Sequence, residues 1–486
     1  MNILKVFTIM MLATLFVFNS CKKNDIPPTS PPTINNNPPG SFTIALQASS
    51  WDTAKINWTK AIDPDNDSVS YMIYLNDTLK VQNFNDLSYT FRNLNEITSY
   101  NIKVVAIDTK LKETISSISI TTKKYWLKFL KKVEYGSITG YSHQRTGQMI
   151  KANDGGYIIV GNSQLGDWPY GVINMFTMKV DSLGNKIWQR RYDYNAGNIS
   201  NAKIVSYNNG YIICGDENLM RIDNNGNLVW HKTITLPYEL FTGIGAGSDG
   251  TIYSLGYAPN GLGSGVVIAT MGKYDQFGNL IWKKTFSRTT REEFYDIKIF
   301  SDNEVIVLGR TKEPDADFWV LKLNSEGSII WEKTYHDQEY AFPENIIRTS
   351  EGDYVFTGFS LGAYDIPYLY LQKIDANGNN KWTYQVSADK TKGYSVAETN
   401  DNSLIVTGGF QLTYGYEASL YKFDKNGNKI WGKLYGEFST YLINKSVIPT
   451  SDGGYIINSQ KSKAYNASSE TDQIYIFKTD DKGEFN

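Results

Sequence analysis

The sequence predicts an all-β protein, and three observations lead to that expectation. The 486 residues include 40 glycines, 34 tyrosines and 11 tryptophans but only 14 prolines. Glycine turns and aromatic strands at this density are typical of β structure. Apolar runs of about five residues recur between turn residues, as expected for short strands. No long segment has the apolar spacing of about 3.6 residues that a helical repeat protein needs.

Charge and cysteine content exclude several classes of function. Lysine plus arginine number 48 against 50 aspartates plus glutamates, for a net charge of −2. This balance predicts neither a nucleic-acid partner nor a polybasic membrane surface. Two cysteines cannot form a disulfide framework, and three histidines leave few ligands for a histidine-rich metal site. We therefore expect no cofactor. We also expect the protein to be a monomer.

The amino terminus has the pattern of an export signal. A single charge, Lys5, precedes an apolar run from Val6 to Phe18, which is too short to span a membrane. Shortly after the run comes Ser20-Cys21, which resembles the lipidation site of bacterial lipoproteins. The resemblance implies a signal peptide over residues 1–20 and a lipid on Cys21. The alternative is an ordinary secretory signal followed by an incidental cysteine.

The residues after Cys21 predict the location of the protein. Residues 21–40 are polar and proline-rich, which is typical of a semi-extended tether. Lys22 and Asp25 resemble the sorting signals of Gram-negative lipoproteins. We expect an outer-membrane protein at the cell surface, held there by its lipid alone, with the periplasmic face as the alternative.

Residues 41–122 predict a small β-sandwich. Three stretches alternate with a period of two, at residues 55–58, 71–75 and 100–106. The segment resembles a fibronectin type III domain through Trp58, Leu94 and Tyr100. The resemblance implies that Trp58 lies in the core and that Tyr100 is a corner tyrosine. We expect this domain to act as a spacer.

An acidic loop in this segment has two interpretations. Asp63, Asp65 and Asp67 are spaced two apart, which resembles a loop that binds a hard cation such as Ca²⁺. Aspartate, proline and asparagine are also ordinary turn formers. We expect a turn without metal, with calcium as the alternative.

Residues 125–486 repeat at intervals of about 50 residues. A lysine or arginine in each repeat is followed two residues later by an aspartate, or in one repeat by an asparagine, at Lys179/Asp181, Arg221/Asp223, Lys273/Asp275, Lys322/Asn324, Lys373/Asp375, Lys422/Asp424 and Lys478/Asp480. Glycine and then tryptophan follow at fixed spacing, at Gly184/Trp188, Gly226/Trp230, Gly278/Trp282, Gly327/Trp331, Gly378/Trp382 and Gly427/Trp431, and Gly483 ends the glycine column. The glycine-containing motif predicts a hairpin turn, and the tryptophan predicts packing between neighbouring repeats.

These repeats predict a seven-bladed β-propeller. Each unit has room for four short strands, and the final unit lacks its tryptophan. A matching segment occurs before the first repeat, around Trp126, and we expect it to supply the outer strand of the last blade. The repeat resembles those of PQQ-type and assembly-factor propellers and of bacterial surface lipoproteins. That resemblance implies the fold and says little about activity.

Variable loops on one face of the propeller suggest where a ligand binds. Exposed aromatic rings can stack on sugars or anchor a protein partner. The candidate ligand-binding residues are Trp168, Tyr170, Trp319, Tyr364, Tyr368, Tyr414, Tyr416, Arg291 and His143. The alternative for any one aromatic is that it caps the end of a blade.

We expect a lipid-anchored protein that binds a glycan or an envelope protein without catalysis. No catalytic residue is predicted, because the sequence has no nucleophile-elbow, zinc-protease, Walker or dinucleotide motif in a suitable context. The alternatives are a polysaccharide lyase or glycosidase at the propeller mouth and a scaffold for envelope assembly.

Overall fold

The computed structural model describes residues 36–124, 128–133, 141–165, 172–194, 202–233, 239–259, 265–301, 304–312, 316–335, 340–362, 365–385, 390–412, 415–436, 441–462 and 473–484. The chain divides into two compact units, Met1–Tyr125 and Trp126–Asn486. The predicted signal peptide, Cys21 and Trp126 lie outside the described residues. Across the described ranges the protein is built of β-strands, and none of their helices is long and apolar enough to cross a bilayer.

The first unit is a sandwich of two antiparallel sheets. Its strands are β1 (Ile44–Ser49), β2 (Ala54–Trp58), β3 (Ser70–Leu75), β4 (Thr78–Phe84), β5 (Ser88–Phe91), β6 (Ser99–Ile107) and β7 (Glu113–Thr121). The sheet orders are β1-β2-β5 and β4-β3-β6-β7. Strand β2 alternates buried and exposed residues, so Ile56 and Trp58 enter the core. Ile73 and Ile102 enter the same core from the other sheet.

Tyr100 ties a loop of this unit to the core. The amide of Asn95 donates a hydrogen bond to the Tyr100 hydroxyl oxygen at 2.8 Å. Leu94 and Tyr100 are both buried. The hydroxyl therefore satisfies a backbone group where the chain turns into β6, which is the contact of a tyrosine corner.

The second unit consists of successive four-stranded antiparallel sheets. After β8 (Phe129–Val133) come β9 (Tyr141–Lys151), β10 (Tyr157–Leu165), β11 (Val172–Val180), β12 (Lys186–Tyr192), β13 (Lys203–Tyr207), β14 (Gly210–Gly215), β15 (Asn218–Asp223), β16 (Leu228–Thr233), β17 (Leu240–Ala246), β18 (Ile252–Pro259), β19 (Val267–Tyr274) and β20 (Leu280–Phe286). The remaining strands are β21 (Glu292–Ser301), β22 (Glu304–Lys312), β23 (Ala316–Leu323), β24 (Ile329–Tyr335), β25 (Tyr340–Arg348), β26 (Tyr354–Leu361), β27 (Pro367–Ile374), β28 (Asn380–Gln385), β29 (Thr391–Glu398), β30 (Leu404–Leu412), β31 (Gly415–Phe423), β32 (Lys429–Tyr435), β33 (Tyr441–Pro449), β34 (Tyr455–Ser462) and β35 (Gln473–Thr479).

Within each sheet the strands follow chain order, and the sheets join in a cycle. Consecutive strands pair from β9 to β12 and so on through β29 to β32. The first strands of neighbouring sheets contact each other in the order β9, β13, β17, β21, β25, β29 and β33, and β33 returns to β9. Repeated antiparallel sheets arranged in this way form a β-propeller.

The last sheet combines strands from both ends of the second unit. Strands β33, β34 and β35 pair in order, and β8 completes the sheet by pairing antiparallel with β35. Their register places Phe129 opposite Lys478. The predicted closing segment lay around Trp126, and β8 begins three residues later. The pairing covers the outer edge of β35, which removes a site for stray strand addition.

The second strand of a four-stranded sheet is buried on both faces, as its apolar run predicts. All residues of β14 are buried, as are all but the last residue of β26. Ile306 and Leu308 of β22 pack in one cluster with Tyr354 and Phe356 of β26. The core therefore lies between the faces of adjacent sheets.

The repeated tryptophan holds the glycine turn of the following sheet. The Trp331 indole nitrogen donates to the Ala376 carbonyl at 3.2 Å, and the Tyr335 hydroxyl donates to the Gly378 carbonyl at 2.7 Å. A Cβ on Gly378 would lie 3.0 Å from the Trp331 ring. The equivalent glycine–tryptophan pairs are Gly226/Trp188, Gly278/Trp230, Gly327/Trp282, Gly427/Trp382 and Gly483/Trp431. The predicted packing between repeats is confirmed.

The repeated aspartate shapes the same turn. In one repeat, an Asp375 oxygen accepts hydrogen bonds from the amides of Asn377 and Asn379 at 2.9 and 2.8 Å. Its second oxygen accepts from the Asn379 side chain at 3.0 Å. Gly378 completes the turn with φ of +79°. The aspartate and glycine columns therefore have structural roles in every repeat.

The tryptophan contact makes Gly378 harder to replace than an ordinary turn glycine. Gly378→Ala places a methyl group against Trp331 at positive φ, whereas Gly352→Ala meets only the Arg348 guanidinium, at 3.8 Å, at φ of +88°. Positive φ costs both variants about 1–2 kcal/mol. We expect overpacking to destabilise Gly378→Ala by about 1–3 kcal/mol more. Denaturant unfolding of both full-length variants measures the difference. Equal losses would show that the tryptophan contact adds nothing.

Candidate functional site

Several predicted ligand-binding residues fall where the structure gives no description. Trp168, Tyr170, Tyr364 and Tyr414 lie outside the described residues. His143 belongs to β9, where its backbone is opposite Gln164, and its side chain is outside the described part. These five residues remain sequence predictions.

Trp319 and Tyr368 are buried, which differs from the predicted exposed position. Trp319 is 1% exposed, packs on Phe294 with ring centroids 5.3 Å apart, and donates its indole hydrogen to Glu332 at 3.1 Å. Tyr368 is 6% exposed. The reason is that β23 begins at Ala316 and β27 at Pro367, so both residues belong to interior strands. Trp319 belongs to the core cluster that it shares with Leu255 and Phe286 of the preceding sheet.

Arg291 takes part in a buried ion network at the start of β21. Its Nε donates to Glu293 at 2.7 Å, and the Arg310 guanidinium contacts the other Glu293 oxygen at 2.6 Å. The Tyr295 hydroxyl donates to that second oxygen at 2.6 Å. Burial alone would raise the pKa of Glu293, but Arg310, Tyr295 and Arg291 hold it below its ordinary value. Glu293 is thus an ionised anchor for two arginines.

A cleft of about 300 Å³ opens beside this network. It is lined by Arg291, Arg310, Thr311, Lys312, Tyr340 and Phe342. The Arg291 side chain is 51% exposed and Tyr340 is 57% exposed. The lining holds three cationic side chains and no carboxylate, so its surface is positively charged. Two carboxylates are buried beside it: Glu293, which pairs with Arg291 and Arg310, and Glu292, whose Oε1 accepts from the Thr311 hydroxyl at 3.4 Å. An exposed ring beside cationic donors suits a sugar that carries an acidic group.

Aromatic rings and cations continue from this cleft across neighbouring sheets. The Arg310 guanidinium lies 5.1 Å from the Phe342 ring, which stacks on Phe359 at 4.8 Å. The Lys392 ammonium lies 4.9 Å from Phe359 and 5.0 Å from Tyr416. Tyr416, a predicted ligand-binding residue, therefore belongs to the same row as the cleft, at its far end.

A second cavity, of about 190 Å³, lies among the first strands of the sheets. Its polar lining includes Gln148, Lys203, Lys298, Glu344, Tyr394 and Lys445. Lys445 lies 4.5 Å from the Tyr394 ring. Because these side chains come from β9, β13, β21, β25, β29 and β33, the cavity is on the axis of the cycle.

Two carboxylates near the axis have opposite environments. Asp296 accepts from the Lys298 ammonium at 2.7 Å, the Asn345 side chain at 2.8 Å and the Ile346 amide at 3.0 Å. Burial would raise the pKa of Asp296, but these lysine and amide contacts hold it lower than usual. Burial raises the pKa of Glu344 above its ordinary value. Asp296 joins two sheets, whereas Glu344 is a candidate proton donor.

Sequence reasoning missed the partners that form the cleft. Arg310 follows directly after Gly309, the last residue of an apolar run, and a charge at that point signals the end of a buried strand. Phe342 and Tyr340 come from the next sheet, whose position beside Arg291 depends on the fold. The sequence therefore marks single residues such as Arg310, but it does not show that these residues meet at one cleft.

Comparison with known proteins finds likeness in structure alone. No family model matches the chain, and no curated protein matches it. The extracellular domain of the hybrid two-component system BT4673 from B. thetaiotaomicron is 10% identical, with a TM-score of 0.42. That likeness covers 68% of this chain and 38% of the other, so the chain spans well under half of that protein.

Two further structures give a similar result. The β-propeller domain of the Trilobed protease from Pyrococcus furiosus is 10% identical, with a TM-score of 0.40, and the match covers 72% of this chain and 98% of that one. The exotype rhamnogalacturonan lyase YesX is 10% identical, with a TM-score of 0.38 and coverage of 91% and 90%.

The raised pKa of Glu344 predicts a pH-dependent effect on stability. The folded state holds this proton more tightly than the unfolded state does, so the contribution is greatest below pH 4.5 and is lost as the pH rises through the raised pKa. Glu344→Gln should raise the melting temperature at about pH 7 and leave it nearly unchanged at about pH 4. The exposed Glu113→Gln serves as the control. A lower melting temperature for Glu344→Gln at neutral pH would contradict the prediction.

Proposed function

We propose that the chain is a lipid-anchored protein of the bacterial envelope that binds an acidic glycan without altering it. In this proposal the first unit is a fibronectin type III-like spacer, supported by the sandwich topology and the Tyr100 corner contact. The second is a seven-bladed β-propeller, supported by the cycle of first strands and by the pairing of β8 with β35.

The positively charged cleft beside Glu293 is the observation that carries this function. Arg291 offers a guanidinium that is fixed by Glu293 and still half exposed to solvent. Tyr340 presents its ring in the same cleft. A sugar carboxylate can bind the guanidinium while the sugar ring stacks on the tyrosine, so the two residues would select an acidic saccharide together.

Binding to an acidic polysaccharide tests the cleft directly. The full-length chain should bind polygalacturonate more tightly than a neutral glucan, and the affinity should fall as salt screens the charges. Arg291→Ala and Tyr340→Ala should each weaken binding about tenfold, while Tyr340→Phe should retain most of it because the ring remains. Calorimetric titration measures all three variants.

Arg92→Ala is the matched control, since Arg92 is an exposed arginine of the first unit. It should bind like the parent chain. Equal binding by Arg291→Ala and Arg92→Ala would contradict the cleft assignment. Failure of the parent chain to bind any acidic polysaccharide would overturn the glycan proposal.

A polysaccharide-active enzyme is the second candidate, and Glu344 is the observation that favours it. A carboxyl group with a raised pKa in a lysine-lined cavity has the property required of a general acid. Assays for new reducing ends and unsaturated products in the binding mixtures separate the two functions. Product that disappears in Glu344→Gln but not in Arg92→Ala would establish catalysis and replace the binding proposal.

Lipidation of Cys21 gives an independent prediction about location. The full-length chain expressed in a Gram-negative host should incorporate labelled fatty acid and fractionate with outer membranes. Cys21→Ser should abolish incorporation and release the protein from the membrane fraction, because its anchor is the lipid. The buried Cys214→Ser is the matched control and should keep the label. Unchanged labelling of Cys21→Ser would contradict the proposal.

A further inference from the structure

Three carboxylates converge between two loops of the first unit. Asp63 and Asp67 come from the loop after β2, and Asp108 comes from the loop after β6. One carboxylate oxygen from each residue lies within 4.8 Å of the other two. Oxygens that share one Ca²⁺ at about 2.3–2.6 Å can be no more than about 5 Å apart, so this spacing fits a common ion.

Asp63 and Asp108 each use one oxygen to shape their own loop. The Asp63 Oδ1 accepts from the amides of Asp65 and Asp67 at 2.8 and 3.2 Å. The Asp108 Oδ1 accepts from the amides of Lys110 and Lys112 at 2.8 and 2.9 Å. These bonds fix both carboxyl groups and leave the Oδ2 atoms for other contacts.

The second oxygen of Asp63 points to a ligand. Asp63 is 5% exposed, and its Oδ2 is buried without a hydrogen-bond donor among the described residues. Within the same part of the chain, the Asn36 side-chain oxygen is also buried without a donor, although its amide donates to the Asp108 Oδ2 at 2.8 Å. A buried carboxylate oxygen without a partner is destabilising unless a cation compensates it.

Lysine supplies little of that compensation. The Lys110 ammonium contacts the Asp67 Oδ2 at 3.0 Å, but its side chain is 48% exposed. An ion pair of this kind is weak and screened by salt. One half-exposed ammonium against three converging carboxylates leaves the cluster with negative charge.

We propose that Asp63, Asp67 and Asp108, with the Asn36 side-chain oxygen, bind a calcium ion. Oxygen donors alone favour Ca²⁺ over Zn²⁺, which takes nitrogen and sulfur ligands. Mg²⁺ requires near-ideal octahedral geometry, which an irregular set drawn from three chain segments does not favour. The ion would fasten the segment that precedes β1 to both loops and make the start of the spacer rigid.

This ligand set differs from the one that the sequence suggested. Asp65 instead accepts hydrogen bonds from Asn37, from its amide at 2.6 Å and its side chain at 3.2 Å. Asp108, distant in the sequence, takes the place expected for Asp65. Substitutions at Asp65 and Asp108 therefore distinguish the two sets.

Calcium titration of the full-length chain tests the proposal. After treatment with EDTA and its removal, calorimetry with calcium chloride should show one ion per chain and a dissociation constant of about 10⁻⁵–10⁻³ M. Calcium should raise the melting temperature and slow amide exchange at Asn37, which lies on the fastened segment. No heat and no thermal shift up to about 10 mM calcium would overturn the site. Equal affinity for magnesium would overturn its assignment to calcium.

Substitutions identify the ligands. Asp63→Asn and Asp108→Asn should each weaken calcium binding at least tenfold, because each substitution removes one negative charge from the ligands of the ion. Asp65→Asn should bind normally, as should the control Asp77→Asn, whose exposed carboxylate pairs with Lys103 at 3.3 Å. Normal binding by Asp108→Asn, or loss in Asp65→Asn, would overturn the ligand set. The titration of the parent chain decides whether a site exists even if a variant fails to fold.

Discussion

The second unit depends on the contact between a tryptophan of one sheet and the glycine turn of the next. Trp331 packs where Gly378 has no side chain, and its indole donates to the same turn. The contact spans two sheets, so each sheet positions its neighbour. Because equivalent contacts recur at the glycine turns of other repeats, they tie each of these sheets to the next.

The sequence predicted the scaffold better than the candidate site. The repeated tryptophan, glycine and aspartate all serve one local structure, a turn with positive φ and a ring packed against it. Because this structure occurs in each repeat, its residues recur in the sequence at fixed spacing. Trp319 was placed wrongly because its aromatic, acidic surroundings look like a loop, yet the strand begins at Ala316. Arg310 and Tyr340 meet at one cleft only because their two sheets are neighbours in the fold. The spacing of these residues in the sequence does not predict that contact.

Charged side chains are fully hydrogen-bonded in the repeated turns but only partly paired in the candidate sites. In the turns, each aspartate is saturated by nearby amides, as Asp375 is by Asn377 and Asn379. In the cleft, Arg291 is fixed by Glu293 and remains half exposed. At the acidic loops, Asp63 keeps a buried oxygen without a donor in the described part of the chain. Incomplete pairing of a fixed charge therefore distinguishes residues that can recognise a ligand from those that build the fold.

The strand β8 has a consequence for the order in which the chain folds. Its partner β35 lies at the other end of the second unit, so β8 must wait for almost that whole unit to be synthesised before its hydrogen bonds can form. The ring therefore stays open while the second unit is being synthesised, and its closure is a late event with an entropic cost. During that interval the uncovered edges of β8 and β35 are exposed to other chains, so a high local concentration of chains would favour exchange of β8 between molecules.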